Sequence, residues 1–219
     1  MAHHMKDSTD ISYVSRETCE YVLALYEKYQ ASYTLLVGKW LHWNRTVNLF
    51  SRKTDESLLK NHILHSLFLV ASTGVSYSNE ANTIIDAGTG GGLPGLPMAI
   101  ACPERDFLLV DKVRKKTLVV KDIIRSLGLT NASVIHQNIA DIATDTPCRV
   151  VSKHAFPVDV LLKALQNKNI SEISLLKGDD VFSEINGDLT KNYRITLQRF
   201  NLTDQPFFHN KYIVHLNKR

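Results

Sequence analysis

The chain has 219 residues, of which 44% are hydrophobic and 22% are charged, a composition typical of a globular protein. We find neither an apolar run near the roughly 20 residues of a membrane-spanning helix nor a secretory signal, so we expect a cytoplasmic protein without a membrane partner. The three cysteines, Cys19, Cys102 and Cys148, lie far apart. This spacing argues against a disulfide framework or a zinc site, and we expect no metal. The formal net charge of +4 permits an anionic partner without requiring one.

The first part of the chain has a helical pattern. From about Ser15 to Ala71, apolar residues recur at spacings of three and four, which predicts two or three packed helices. We expect a break near Ser32 and another near Asn48–Ser51. The capping residues in Thr54–Ser57 predict the start of a third helix.

After Gly74 the pattern changes to short apolar segments that alternate with helical ones, which predicts an α/β fold with a doubly wound, mainly parallel sheet. The predicted strands of this sheet are Thr83–Ile85, Phe107–Val110, Ala132–Ile135, Arg149–Val151 and Ile173–Leu176. The predicted helices are Pro94–Ala101, Lys112–Leu127 and Val158–Leu165. Two alternating segments, Tyr193–Phe200 and Phe207–Leu216, predict a closing antiparallel hairpin.

These patterns divide the chain into three parts. Residues 1–5 read as vector-derived residues ahead of the natural start, and we exclude them from the fold. Residues 6–78 are predicted to form an N-terminal helical extension, and residues 79–219 the α/β domain. We expect extension and core to pack as one unit.

A glycine-rich turn follows the first predicted strand of the sheet. Ile84-Ile85-Asp86 leads directly into Gly88-Thr89-Gly90-Gly91-Gly92, and a helix is predicted to open at Pro94. This strand–turn–helix context is the one that a cofactor-binding turn requires. Glycines allow close approach of a ligand and a positive φ. The helix N-terminus offers free N–H groups to an anionic group.

The glycines alone leave two cofactors open. Gly90-x-Gly92-x-x-Gly95 also satisfies the dinucleotide fingerprint, so a nicotinamide cofactor and S-adenosylmethionine both remain possible. Asp86, just before the turn, would repel a pyrophosphate and suits the ammonium and sulfonium groups of S-adenosylmethionine. Asp111, about 20 residues past the turn, is predicted to accept hydrogen bonds from the ribose hydroxyls. We therefore favour an S-adenosylmethionine-dependent methyltransferase, with an NAD-dependent oxidoreductase as the alternative.

Further motifs extend over most of the chain. They are Trp43-Asn44-x-x-x-Asn48-Leu49, Ser51-Arg52, Asn61-His62-Ile63-Leu64-His65-Ser66, Asp86 to Pro97, Asp111 with Lys115-Lys116, Ser152-Lys153 and Leu176-Lys177-Gly178. With these residues the chain resembles the RsmG (GidB) family, whose members methylate N7 of a guanine in bacterial 16S rRNA. The resemblance implies a Rossmann-like methyltransferase sheet, S-adenosylmethionine as cofactor, and 16S rRNA or the small ribosomal subunit as partner.

The resemblance also implies individual cofactor contacts, at Gly88, Leu93, Ile139, Ala140 and Lys153. The complete set of predicted cofactor-binding residues is Asp86, Gly88, Gly90, Gly92, Leu93, Asp111, Ile139, Ala140 and Lys153. The family commonly has an acidic residue where Ala140 stands and an arginine where Lys153 stands. These two departures motivate a further alternative, a non-catalytic RNA-binding relative.

The implied reaction needs few catalytic groups. Guanine N7 carries a free lone pair, so in-line methyl transfer requires alignment rather than a general base, and we assign no catalytic residue. The substrate-side candidates are His62, Arg52 and Lys177. Trp40 and Trp43 are nominees for base stacking, although their helical spacing favours the core, and His65 is a weaker candidate.

Basic residues are predicted to contact RNA phosphates, an interaction that salt weakens. They are Arg45, Arg52, Lys53, Lys112, Arg114, Lys115, Lys116, Lys121, Arg125, Lys218 and Arg219. We expect a monomer, because no segment indicates a large exposed apolar seam.

Overall fold

The computed structural model describes residues 9–72, 83–185, 187–202 and 205–219. The predicted vector-derived residues 1–5 and the predicted boundary between extension and core, at 78/79, lie outside these ranges. The division into extension and core therefore stays a prediction. Among the described residues, no helix is both long and apolar enough to cross a membrane.

Within the described ranges, eight strands form one sheet. The strands are β1 Thr9–Tyr13, β2 Thr83–Ala87, β3 Asp106–Asp111, β4 Ala132–His136, β5 Cys148–Lys153, β6 Ile170–Lys177, β7 Tyr193–Arg199 and β8 Tyr212–Lys218. Their order is β1-β7-β8-β6-β5-β2-β3-β4. Strand β8 runs antiparallel to β6 and β7, and all other neighbours are parallel. The predicted α/β class, with a mainly parallel sheet and a C-terminal antiparallel hairpin, is confirmed.

Helices cover the sheet and make up most of the N-terminal part. They are α1 Arg16–Lys28, α2 Gln30–Asn44, α3 Glu56–Ser72, α4 Gly95–Ala101, α5 Arg114–Ser126, α6 Val158–Leu165, α7 Val181–Glu184 and α8 Gly187–Asn192. The first break falls at Tyr29 rather than near Ser32. The third helix begins where its capping signal predicts, since the Asp55 carboxylate accepts a hydrogen bond of 2.8 Å from the Leu58 N–H.

The N-terminal segment also contains a strand that the sequence analysis did not predict, ahead of the helical pattern that begins at about Ser15. Strand β1 pairs in parallel with β7 and forms one edge of the sheet. Its side chains Ile11 and Tyr13 are 55% and 61% exposed. Backbone pairing with a neighbouring strand therefore stabilises this segment more than burial does. A pattern of apolar residues does not reveal such a strand.

The N-terminal helices share a core with the sheet. Trp40 and Leu59 are fully buried in the same hydrophobic cluster as Ile84 of β2 and Leu96 of α4. Two buried hydrogen bonds fix α2 on the α/β core: the Tyr33 hydroxyl donates to the Pro97 carbonyl at 3.1 Å, and the Trp40 Nε1–H donates to the Gly91 carbonyl at 2.6 Å.

The last strand begins later than predicted. Phe207 and Phe208 lie in a short 3-10 helix ahead of β8 rather than in the strand. Phe208 is 1% exposed, and its ring packs against Phe200 at 5.1 Å and Phe68 at 5.8 Å. Burial against helix α3 therefore takes these rings out of the alternating pattern that a strand requires.

Candidate functional site

A cleft of about 840 Å³ opens at the carboxyl ends of β2, β3 and β5. It is lined mainly by Leu49, Phe50, His62, Gly88–Gly91, Leu93, Val110–Val113, Lys116, Gln137–Ala140 and Lys153–Phe156. Strands β2 and β5 are neighbours in the sheet, and the chain leaves β2 toward β3 on the other side. This is the switch point at which open α/β sheets bind their ligands.

The glycine turn forms the floor of the cleft. The Gly88 and Thr89 N–H groups donate to the Val110 carbonyl at 2.9 and 3.0 Å, which holds the turn against the end of β3. Gly88 and Gly90 have φ of +70° and +57°, in the left-handed region that favours glycine. A Cβ at Gly88 would also lie 2.8 Å from the Phe156 ring, so only glycine fits there.

Gly92 lies in the turn but not in the cleft lining. Its φ is +101°, and a Cβ at this position would collide with the Leu96 side chain. Its N–H donates to the Thr89 carbonyl at 2.8 Å. Gly92 therefore shapes the turn from behind, in contrast to Gly88, Gly90 and Leu93, which line the cleft as predicted for cofactor contacts.

Asp86 faces into the protein rather than into the cleft. Its side chain is fully buried, and its Oδ2 accepts hydrogen bonds from the Thr89 hydroxyl at 2.5 Å and from the Gly95 N–H at 2.8 Å. Burial raises the pKa of this carboxyl to about 7, against the lowering effect of these two hydrogen bonds. A direct cofactor contact is not what this position offers: Asp86 braces both ends of the turn and occupies the first N–H of α4.

Asp111 lies at the end of β3 and lines the cleft. Its Oδ2 accepts a hydrogen bond from the Gly90 N–H, and its Oδ1 accepts one from the Val113 N–H, each at 2.8 Å. The carboxylate thereby ties the glycine turn to the segment that follows β3. A carboxylate oxygen has further acceptor capacity, which leaves Asp111 able to accept hydrogen bonds from ribose hydroxyls.

Ile139 and Ala140 line the cleft in a 3-10 turn after β4. The Asn138 side chain caps this turn by accepting from the Ala140 N–H at 3.1 Å. Lys168 Nζ donates to the Ala140 and Ile142 carbonyls at 2.9 and 2.6 Å. The turn is thus fixed by side chains on either side, and it presents a mainly apolar edge to the cleft.

Lys153 and His62 also line the cleft. Burial, and to a lesser extent the nearby Lys211, lower the pKa of Lys153 to about 7. Among the described residues, the ammonium group of Lys153 has no hydrogen-bond or ion-pair partner, although its backbone is part of the β5–β6 pairing. Burial, together with the charge of Lys153, lowers the pKa of His62 to about 3, so its imidazole is neutral at pH 7.

The other substrate-side candidates lie outside the cleft lining. Arg52 is exposed on the loop between α2 and α3. Lys177 is 3% exposed, donates to the Phe156 carbonyl at 2.8 Å and pairs with Glu184 at 2.7 Å. Its position is that of a structural ion pair, which supports the cleft only through Phe156.

The tryptophans are not base-stacking residues of the cleft. Trp40 is fully buried, and the half-buried Trp43 donates from Nε1 to the Asp122 carboxylate at 3.1 Å, so the core interpretation is correct. His65 is also fully buried, inside a cluster with Phe200, Phe207 and Phe208.

Two aromatic residues of the cleft escape the sequence analysis. Phe50 packs on the glycine turn, since a Cβ at Gly91 would lie 2.9 Å from its ring, and Phe156 packs on Gly88 in the same way. Phe50 stands between two motifs of the sequence, Asn48-Leu49 and Ser51-Arg52. That position is the one signal that marks it, because its contact with Gly91, 41 residues further along the chain, depends on the fold.

The predicted basic residues on and just before helix α5 form a rim beside the cleft, whereas Lys218 pairs with Tyr193 at the opposite end of the sheet. Lys112 and Lys116 line the cleft itself, and Arg114, Lys115 and Lys121 continue along the exposed face of α5. Such a rim suits a phosphate backbone that passes the mouth of the cleft. Among the described residues, no group of three or more His, Cys, Asp or Glu side chains is placed to hold a metal ion.

Comparison with solved structures shows the same fold. A methyltransferase from Geobacter sulfurreducens aligns with a TM-score of 0.57 at 13% identity, over 83% of this chain and 89% of that one. A protein from Thermoplasma acidophilum aligns with a TM-score of 0.56 at 13% identity, over 87% of this chain and 97% of that one. The chain therefore shares the Rossmann-like fold of these proteins.

Comparison of sequences identifies the family. The GidB family model, described as rRNA small subunit methyltransferase G, matches residues 29–215. Ribosomal RNA small subunit methyltransferase G of Chlorobium luteolum is 35% identical over 83% of this chain and 77% of its own length. The protein of the same name from Chlorobium limicola is 34% identical over 91% of both chains. The chain therefore belongs to the rRNA small subunit methyltransferase G (GidB) family.

Proposed function

We propose that this protein is an S-adenosylmethionine-dependent methyltransferase that methylates N7 of a guanine in 16S rRNA. One observation carries the proposal: in a chain of this family, the glycine turn, Asp111 and the Ile139–Ala140 turn converge on one cleft. The proposed partner is 16S rRNA or the assembling small subunit, the proposed compartment is the cytoplasm, and the proposed state is a monomer.

The cleft fits the proposed cofactor. Its volume of about 840 Å³ lies within the range of small-molecule sites and leaves room for a nucleobase beside the cofactor. The absence of a side chain at Gly90, whose Cβ would meet no side-chain atom within 4 Å, leaves the floor open to a ligand. Asp111 fits the ribose, and the apolar edge at Ile139 and Ala140 fits the adenine.

The proposed mechanism relies on alignment. S-adenosylmethionine supplies, when bound, a methyl group on a sulfonium centre that a lone pair can attack directly. The glycine turn and Asp111 would hold the cofactor in one half of the cleft. The other half would position the guanine next to the methyl group. Effective molarities of about 10⁵ M or more are reached by such positioning alone. The neutral His62 is not required as a base, because N7 carries no proton.

Methyl transfer to rRNA tests the proposal. Small subunits from a strain that lacks the homologous gene are incubated with the protein and methyl-labelled S-adenosylmethionine, and the modified base is mapped. We expect label in 16S rRNA at a guanine, with no label in subunits from the parent strain, whose site is already methylated. Absence of label with a folded protein that binds S-adenosylhomocysteine contradicts the proposal.

A second candidate is a non-catalytic RNA-binding relative, which Ala140 and Lys153 motivate. Calorimetry separates it from the first: RNA binding without binding of S-adenosylhomocysteine supports the second candidate. A thermal-shift comparison tests the NAD-dependent alternative. Stabilisation by NAD but not by S-adenosylhomocysteine would favour it, although the Gly95 N–H at the start of α4 already donates to Asp86.

A further inference from the structure

The cleft has an aromatic wall beside the glycine turn. Phe50 and His62 both line the cleft and are both partly exposed. Their ring centroids are 6.3 Å apart, and their planes are inclined by only 19°. A flat base that lies against one ring is therefore nearly parallel to the other.

The wall is held in place from behind. The Asn44 side-chain carbonyl accepts hydrogen bonds from the N–H groups of Leu49 and Phe50, at 3.0 and 2.9 Å. The edge of the Phe50 ring packs on Trp40, with centroids 5.3 Å apart. His62 packs edge-on against Phe207 at 5.0 Å. Neither ring has to be ordered when a base arrives, which lowers the entropic cost of stacking.

The wall also has the electrostatic character that N7 methylation needs. The purine gains a positive charge as the methyl group arrives, and aromatic faces attract cations. Because His62 is neutral at pH 7, the wall carries no imidazolium charge that would repel the cationic purine. Lys153 lines the same cleft, as do Lys112 and Lys116, and its lowered pKa reduces the repulsion that it exerts.

We propose that Phe50 and His62 form the stacking platform that receives the target guanine and stabilises its cationic, methylated form. The inference rests on the proposed function and deepens it, because it assigns the substrate half of the cleft. Phe50 and His62 act through their ring faces. Asn44 is a positioning residue that holds Phe50 in the cleft wall.

Four variants test the platform. Phe50→Leu and His62→Asn remove an aromatic face, whereas Phe50→Tyr and His62→Phe keep one. Stacking on one aromatic ring is worth about 1–3 kcal/mol, so the first pair is expected to lower kcat/KM for rRNA by roughly 5- to 150-fold. The second pair is expected to stay within about threefold of wild type. Phe182→Leu, at a ring that packs on Tyr212 outside the cleft lining, is the matched control.

Cofactor binding separates the platform from the turn. All four variants are expected to bind S-adenosylhomocysteine within twofold of wild type. A parallel loss of that affinity in Phe50→Leu assigns Phe50 to the glycine turn and overturns the inference. The inference also fails when His62→Phe loses as much kcat/KM as His62→Asn, because the polar atoms of the imidazole are then required.

A binding measurement keeps the inference independent of turnover. The wild-type complex with S-adenosylhomocysteine is titrated with guanosine 5′-monophosphate and with 7-methylguanosine 5′-monophosphate. We expect the cationic nucleotide to bind more tightly, and Phe50→Leu to abolish the difference. Equal binding of the two nucleotides, or binding of neither at millimolar concentration, overturns the platform, whereas the proposed function fails only when the labelling of rRNA fails.

Discussion

Trp40→Phe tests whether the N-terminal helices position the cofactor turn. Trp40 is fully buried on α2, and its Nε1–H donates to the Gly91 carbonyl at 2.6 Å. Phenylalanine removes this donor and leaves a buried carbonyl without its partner, which costs about 1–3 kcal/mol. The smaller ring also leaves a cavity worth about 1 kcal/mol more. We therefore expect the free energy of unfolding to fall by about 2–4 kcal/mol in denaturant titrations.

The consequence for the site distinguishes positioning from packing. Gly91 lines the cleft, so we expect Trp40→Phe to weaken S-adenosylhomocysteine binding about tenfold, equivalent to ~1.4 kcal/mol. Tyr33→Phe is the matched control. It removes a buried hydrogen bond from the same helix, to the Pro97 carbonyl at 3.1 Å, and Pro97 does not line the cleft. Tyr33→Phe is expected to cost about 1 kcal/mol of stability and to leave the affinity unchanged.

Fluorescence gives an independent readout, because the chain has two tryptophans. In a Trp43→Phe background, Trp40 is the single tryptophan, and its emission reports on the turn. We expect this emission to change when S-adenosylhomocysteine binds. Equal affinities for Trp40→Phe, Tyr33→Phe and wild type, with an unchanged emission, would refute the reasoning and leave Trp40 as a core residue only.

Three further predictions concern ionisable groups. Asp86 has a folded pKa near 7 against an unfolded value near 3.8, so the stability that its protonated form contributes is present below pH 4 and is lost as the pH rises through 7. Wild type should therefore lose more stability than Asp86→Asn between pH 5 and 8, by at most about 1.4 kcal/mol per pH unit, and parallel pH profiles would contradict this. Asp111→Asn removes the negative charge and one of the two acceptor oxygens of this side chain. It should weaken S-adenosylhomocysteine binding by about tenfold or more in calorimetry, whereas Glu104→Gln, at an exposed position, should not. Lys177→Met leaves the partly buried Glu184 carboxylate without its cation and should lower the free energy of unfolding by about 3 kcal/mol, and adding Glu184→Gln should recover part of that loss.

Most of the sheet and its helices follow from local patterns in the sequence. Helix α6 has the predicted bounds, Val158–Leu165, because its apolar face and the preceding proline are both local signals. Strands β2 to β6 contain the predicted apolar runs and extend them by up to three residues at either end. Those extensions are set by pairing with neighbouring strands, which apolar content does not record.

The site residues also divide into those that local sequence reveals and those whose position depends on contacts between distant segments. Asp111 and the glycines are recognisable because they stand at strand ends and in a turn, where local context fixes their position. Lys177 follows a strand as well, but its ammonium group is held by Glu184 on α7, a partner that the fold supplies. Phe50 reaches the cleft because Asn44 and Gly91 hold it there. Its place in the site is therefore a property of the packed N-terminal helices.

Asp86 illustrates how a preference can be kept although the first reason for it is incomplete. Its position before the turn favours S-adenosylmethionine on the assumption that the carboxylate meets the ligand. Instead, the carboxylate is buried and accepts the Gly95 N–H at the start of α4. In a dinucleotide-binding fold, the N–H groups at that helix end bind the pyrophosphate. Here the Gly95 N–H already donates to the Asp86 carboxylate, so this donor is not free for a pyrophosphate, and the carboxylate would repel the anion. Asp86 therefore disfavours a dinucleotide. The preference for S-adenosylmethionine is kept, and the attractive contact with the cofactor is left to groups that line the cleft.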